Sequence, residues 1–153
     1  MLKIYNLKDK LEYLKEVLLL EHQEWGEKVD SDKLDIKINK KRELVINNFD
    51  NPSFCKLILL DDKELIGFIS LFPKDGDERI DLTPWYATMY VKKEYRGSGY
   101  SKILNNAILN EAKNRGFKRV YLKSNLENYY EKFGAIYLDN LKNGEKLYYI
   151  DVK

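Results

Sequence analysis

At 153 residues the chain is long enough for one domain that buries roughly two-thirds of its unfolded surface, and with 44% hydrophobic and 34% charged residues it lies far from disordered or membrane-spanning composition. The longest apolar runs, such as Val17 to Leu20 and Leu57 to Leu60, are far too short to cross a bilayer, and a lone Cys55 and a lone His22 exclude a disulfide framework and a Cys/His zinc site. The formal net charge of +2 hides an asymmetry: residues 92–132 hold ten Lys/Arg against four Asp/Glu, a surplus of six, so the rest of the chain carries −4. Met1-Leu2-Lys3-Ile4-Tyr5 has no cleavable signal character, and a cytoplasmic setting is expected.

Lys3 to Leu7 reads as a short first strand, and Asp9 with Glu12 three residues later has capping-box spacing, which predicts a helix starting there. Leu11, Leu14, Val17, Leu18 and Glu21 or His22 keep helical spacing, carrying that helix to about Trp25-Gly26. Ser31 caps a second predicted helix over 32–47, while Leu34-Asp35-Ile36-Lys37-Ile38 also alternates as a strand would. Six carboxylates between residues 21 and 35 (Glu21, Glu24, Glu27, Asp30, Asp32, Asp35) face only Lys28 and Lys33, which is either an ordinary solvated surface or an attraction for a cationic substrate.

From Ser53 the pattern changes to strands. Phe54 to Leu60 and Leu65 to Phe72 flank Asp61-Asp62-Lys63-Glu64 as an antiparallel hairpin. Thr83-Pro84 introduces a strand from Trp85 to Val91, with Trp85, Ala87, Met89 and Val91 predicted on one face and Tyr86, Thr88 and Tyr90 on the other. Ile103, Leu104, Ala107, Ile108 and Ala112 form a helical stripe that Gly116 ends. Val120 and Leu122 alternate with Arg119, Tyr121 and Lys123 in a further strand, a short helix follows over 127–133, and 135–138 and 146–152 pair across Asn143-Gly144. The order β-α-α-β-β-β-α-β-α-β-β predicts a single mixed α/β (α+β) domain over 1–153, a central mixed sheet of about seven strands flanked by about four helices.

The chemistry is concentrated where the 85–91 strand meets the long helix, at Arg96-Gly97-Ser98-Gly99-Tyr100-Ser101. A helix N-terminus leaves backbone N–H groups unpaired, and its dipole favours an anion. A Walker A loop is excluded because no Gly-Lys-Ser/Thr follows, and a dinucleotide fingerprint because Lys102 stands where its third glycine would be. The string fits Arg/Gln-x-x-Gly-x-Gly/Ala, with Ser101 at the final small position, and resembles the acyl-CoA loop of the GNAT superfamily of N-acetyltransferases. The predicted element order is also that of the GNAT fold, so the resemblance covers nearly the whole chain and is least specific before residue 53.

The resemblance implies acetyl-CoA as cosubstrate, no metal, and a primary amine acceptor, either a small molecule or a peptide terminus. By it, the backbone of Met89, Tyr90 and Val91 would hold the pantetheine arm. Gly97, Gly99, Tyr100 and Ser101 would present N–H groups to the pyrophosphate, with Arg96 and Ser98 at the same loop. Asn128-Tyr129-Tyr130-Glu131-Lys132-Phe133-Gly134-Ala135 resembles the family segment Tyr-Glu-Lys-x-Gly-Phe, which selects Tyr130 as the acid that protonates the leaving thiolate. Asn125 is a further candidate cofactor contact, although it lies closer to Tyr130 than the family's usual asparagine.

The base that deprotonates the amine is not identified by the sequence; Asp81 and Glu78 are candidates, each reading more readily as a surface carboxylate. A lysine-like amine is only about 0.1% neutral near pH 7.4, so its deprotonation accounts for roughly 4 kcal/mol of barrier. Leu82-Thr83-Pro84-Trp85 ahead of the loop resembles a bacterial GNAT subgroup of unassigned acceptor, and Trp25 and Trp85 are read either as acceptor-pocket walls or as core. Cys55 is a candidate acyl carrier, but it sits mid-strand, as a buried structural thiol would. The competing readings are a non-catalytic acyl-CoA sensor of the same fold and a nucleic-acid module using the basic 92–132 region, against which no nucleic-acid motif is present. No nucleic-acid or membrane partner is expected, and a homodimer is left open.

Overall fold

Strand β1 (Leu2–Asn6) leads through two 3-10 turns, Leu7–Asp9 and Leu11–Tyr13, into helices α1 (Leu14–Trp25) and α2 (Ser31–Asn48). Strands β2 (Cys55–Asp61), β3 (Glu64–Phe72) and β4 (Trp85–Val91) follow, then helix α3 (Tyr100–Asn114), strand β5 (Arg119–Ser124), a 3-10 turn at Tyr130–Phe133, and strands β6 (Ile136–Asn140) and β7 (Lys146–Asp151). The computed structural model describes residues 1–152. The sheet runs in the order β1-β2-β3-β4-β5-β7-β6, antiparallel between neighbours except at β4 and β5, which are parallel across the α3 crossover.

The two faces of this sheet explain why β2 and β3 read as continuous apolar runs. Leu104, Ile108 and Ala112 of α3 pack on Leu57, Leu59, Ile69 and Leu71, while Leu14, Val17 and Leu18 of α1 with Ile38 and Val45 of α2 pack on Ile58, Leu60 and Phe68. A strand covered on both sides has no polar face to alternate with. The α3 stripe ends as the sequence predicts: Gly116 takes φ +90°, Phe117 N–H bonds Ala112 O at 3.0 Å and Gly116 N–H bonds Lys113 O at 3.0 Å, the paired bonds of a Schellman stop.

Three expectations change. The first helix does not start at Asp9: Asn6, not Asp9, accepts a hydrogen bond from the Lys8 N–H, at 3.1 Å, and fully buried Leu7 pins the chain into tight turns until Leu14. The short helix over 127–133 shrinks to the Tyr130–Phe133 turn, leaving three α-helices against the expected four, because Asn128 adopts φ +57° and interrupts the helical path. The strict alternation of β4 also fails. Ser70 pairs with Ala87 and Phe68 with Tyr90, so β4 carries one extra residue there, and Thr88 at the skip adopts φ +49°. The bulge moves Tyr86 onto the same face as Met89 and Val91, where it packs in the α3-side core. In α2, by contrast, the strand-like alternation at 34–38 resolves as helix, with Ile38 and Val45 buried and Ile36 exposed.

Candidate active site

Parallel β4 and β5 share the register pair Trp85 and Tyr121, with the Tyr121 N–H bonding Pro84 O at 3.0 Å. Beyond that point the strands separate, and a cleft of about 1050 Å³ opens between them. Its floor includes Met89, Tyr90 and Val91 at the end of β4; its rim includes Arg96, Gly97, Gly99, Tyr100 and Ser101; its opposite wall carries Asn125 and Tyr130, and Trp25 closes one end. Residues up to 121 positions apart in sequence, Glu24 and Glu145 being the extremes, thus reach one concavity. Ser98 stands exposed within the rim loop but is not a lining residue.

The rim is shaped by backbone sign. Gly97 and Gly99 have φ +85° and +83°, and a Cβ at either would meet nothing within 4 Å, so glycine is required there by conformation and not by a neighbouring atom. Gly99 is the N-cap of α3 and supplies no side-chain cap, leaving the first-turn N–H groups facing the cleft mouth without a side-chain acceptor. Arg96 is oriented by its Nε–H bond to Val91 O at 2.8 Å and lies over the Tyr90 ring, 5.4 Å from its centroid. Unpaired amides, an open approach over two glycines and a fixed guanidinium fit a phosphate-bearing group.

Tyr130 is flanked by two aromatic rings, Tyr129 at 4.8 Å and Tyr86 at 5.9 Å between centroids, both edge-on, with Tyr129 in turn under the Lys132 ammonium at 4.1 Å. Burial, with Tyr129 adding to it, pushes the Tyr130 phenol up to about 12, and burial raises Tyr86 still further. Both phenols are therefore protonated at neutral pH. Among the described residues the Tyr130 hydroxyl has no hydrogen-bond partner, so it is available to the cleft.

Two residues read from the sequence as acceptor contacts lie elsewhere. Trp85 is 1% exposed and packs with Leu141, Leu147 and Tyr121, its indole N–H donating to Leu82 O at 2.8 Å; it borders a separate cavity of about 170 Å³. Asp81 is exposed and gripped by both Arg79 Nε and Nη2 at 3.0 Å, which holds its carboxyl below the usual range and weakens it as a base. Glu78 accepts the Lys142 N–H at 2.9 Å beside that same smaller cavity. Of the six carboxylates in 21–35 only Glu24 lines the cleft; Glu21 is instead paired at 2.5 Å with the buried Lys56. Asp75, from the acidic stretch just ahead of the central strand, and Glu145 supply the other cleft carboxylates. Cys55 is 1% exposed, away from the cleft, its thiol pushed up to about 12 by burial.

Residues 12–135 match the family model described as acetyltransferase (GNAT) family. N-alpha-acetyltransferase 30 of Schizosaccharomyces pombe is 31% identical over 88 residues, a match taking in 54% of this chain and 57% of that protein, so the chain spans little more than half the length of this curated relative. Among solved structures, an aminoglycoside 6'-N-acetyltransferase complexed with coenzyme A superposes with a TM-score of 0.74 at 18% identity, covering 99% of this chain and 97% of that one. The PaiA N-acetyltransferase of Thermoplasma acidophilum in complex with coenzyme A gives 0.67 at 20% identity over 99% of each chain, and the spermidine/spermine N-acetyltransferase SpeG of Vibrio cholerae gives 0.69 at 18% identity over 99% and 95%. At such identities the structures establish a shared fold. The family model, matched across most of the chain, establishes more: this protein belongs to the acetyltransferase (GNAT) family.

Proposed function

We propose that the protein transfers the acetyl group of acetyl-CoA to a primary amine, which attacks the thioester directly while both are bound. The observation that carries this reading is the single cleft between β4 and β5, with an uncapped helix N-terminus and two left-handed glycines at one end and the unpartnered Tyr130 hydroxyl within it. Two proteins of the same fold were solved with coenzyme A, and the relatives named above act on amines.

In this reading the N–H groups of Gly97, Gly99, Tyr100 and Ser101 bind the pyrophosphate, with Ser98 and Arg96 beside it, and the backbone of Met89 to Val91 holds the pantetheine arm, with Asn125 across the cleft. The bound cosubstrate supplies an activated thioester. Tyr130 serves the departing sulfur. With its phenol near 12 and thiols near 8.5, full proton transfer is uphill by roughly 5 kcal/mol even to a fully formed thiolate, so the hydroxyl serves the sulfur as a hydrogen-bond donor that strengthens as negative charge develops there. Cys55 has no part, since a buried thiol of raised pKa is neither accessible nor ionised. At the other end Trp25, 52% exposed and edge-on to Tyr90 at 6.3 Å, stands beside Glu24, an apolar and anionic pair suited to a cationic amine.

The test is thiol release from acetyl-CoA against a panel of polyamines, aminoglycosides, amino-acid amides and peptide termini. Amine-dependent release supports the reading. Tight acetyl-CoA binding with no release for any amine would replace it with an acyl-CoA sensor.

A further inference from the structure

A buried polar chain ends on the cleft wall. Lys56 is 2% exposed; its ammonium donates to Glu21 Oε1 and, at 3.1 Å, to Ser70 Oγ, and it lies 5.0 Å from the Phe72 ring centroid. Ser70 is 0% exposed, and its Oγ lies 2.6 Å from Thr88 Oγ1. Thr88 lines the cleft together with Trp25, Phe72 and Tyr90, which share its side of the sheet.

The direction of every proton in this chain follows from donor bookkeeping. An ammonium can only donate, so Ser70 Oγ accepts from Lys56. The Ser70 hydrogen then has Thr88 Oγ1 as its acceptor among the described residues, and the opposite arrangement would strand that hydrogen inside a fully buried site. Thr88 Oγ1 therefore accepts from Ser70 and keeps its own hydrogen, which has no protein acceptor among the described residues. The result is a hydroxyl of fixed polarity on the wall of the cleft. A second observation agrees: Thr88 holds φ +49°, a conformation that a β-branched residue adopts only against strain and that Gly or Asn would take freely.

We propose that Thr88 is a specificity-determining residue that donates a hydrogen bond to an oxygen of the acceptor substrate, so that the preferred acceptors are amines carrying a carbonyl or hydroxyl oxygen close to the amino group, with Ser70 and Lys56 as positioning residues. This rests on the acetyltransfer reading above. A fixed donor has nothing to bind on a simple polyamine, whose ammonium groups are donors themselves. It suits an amino-acid amide, a peptide N-terminus or an amino sugar.

The test compares lysinamide with cadaverine, which has the same carbon chain and amino groups but lacks the carboxamide. Thiol release and calorimetric binding to the coenzyme A complex are both measured for wild type, Thr88→Val and Thr88→Ser. Taking the ratio of the two acceptors within each protein, then comparing ratios between proteins, cancels their intrinsic difference in amine basicity. The expected result is a preference for lysinamide that falls about tenfold in Thr88→Val and is kept in Thr88→Ser, with Ser70→Ala intermediate. An unchanged ratio in Thr88→Val overturns the inference even if turnover is high. A ratio seen in binding without any thiol release supports it and overturns the enzymatic reading instead. Absence of both turnover and oxygen-dependent binding overturns both.

Discussion

Trp85 and Tyr121 are register partners where β4 and β5 meet, their rings 6.1 Å apart, and the strands diverge from this pair to form the cleft. Trp85 is thus the wedge at the root of the fork. Trp85→Ala should cost about 3–5 kcal/mol of stability in denaturant melts, since it empties a fully buried aromatic site. Trp85→Phe should be milder and leave the ranking of acceptors unchanged in steady-state kinetics. A changed ranking at unchanged stability would return Trp85 to the acceptor pocket.

Gly99 anchors the other end of the cleft, and its φ of +83° sets the effect of replacing it. Gly99→Ala should lose about 1–2 kcal/mol from backbone strain alone. Gly99→Glu adds a carboxylate at the proposed pyrophosphate site. Acetyl-CoA at a hundredfold excess over its dissociation constant should stabilise wild type by about 2.7 kcal/mol, read as a melting shift, and the Glu variant should show none. A full shift in that variant would place the cosubstrate elsewhere.

Tyr130→Phe removes a hydroxyl with no hydrogen-bond partner among the described residues, so the fold should tolerate it. Turnover should fall by roughly 10² to 10⁴ while acetyl-CoA affinity changes little, because the lost interaction develops with charge on sulfur. Pre-steady-state measurement of the chemical step decides the matter; wild-type rates in the variant would remove Tyr130 from the mechanism.

Alkaline pH should weaken the protein. The folded pKa values of Cys55 and Tyr130 are raised from 9.0 and 10.0 to about 12 each, so their neutral forms stabilise the fold below pH 9 and that contribution is lost as pH climbs to 12. The loss is about 4 kcal/mol for the thiol and about 3 kcal/mol for the phenol. Denaturant midpoints measured from pH 8 to 11.5 should fall, and less steeply in Tyr130→Phe. A flat profile would contradict both burial assignments.

Glu24, Asp75 and Glu145 give the cleft three carboxylates, against the partly paired Lys123 and exposed Arg96 and Lys132. Cationic amines should therefore be used better than their carboxylated analogues, and raising salt should increase the acceptor KM. Glu24→Gln should raise KM for a cationic acceptor a fewfold at low salt, with kcat nearly unchanged. Equal use of both analogues without a salt effect would make these carboxylates ordinary surface.

The motifs that depend on neighbours in sequence were legible without coordinates. Gly97 and Gly99 between an apolar strand and an amphipathic helix specify a left-handed turn at a helix N-terminus, and the resemblance of Tyr130-Glu131-Lys132-Phe133-Gly134 to a GNAT segment singled out Tyr130, which lines the cleft. The order of elements along the chain and the Gly116 stop are likewise local consequences of periodicity and backbone sign, whereas the placing of β7 between β5 and β6 is tertiary. Which tryptophan faced the cleft was not legible, because Trp25 and Trp85 have the same side chain and only the packing of Leu141 and Leu147 over Trp85 buries one of them. The β4 bulge was equally hidden: a run of seven residues carries its own alternation, but a skipped partner exists only once β3 is alongside. Nothing in the sequence singles out Lys56 within the strand from Phe54 to Leu60, and Glu21 reads as one carboxylate of six. Their pairing across 35 positions, and the oriented Ser70 and Thr88 hydroxyls beyond it, arise from bringing α1 onto the sheet, where a buried ammonium must find acceptors and so dictates where each neighbouring proton points.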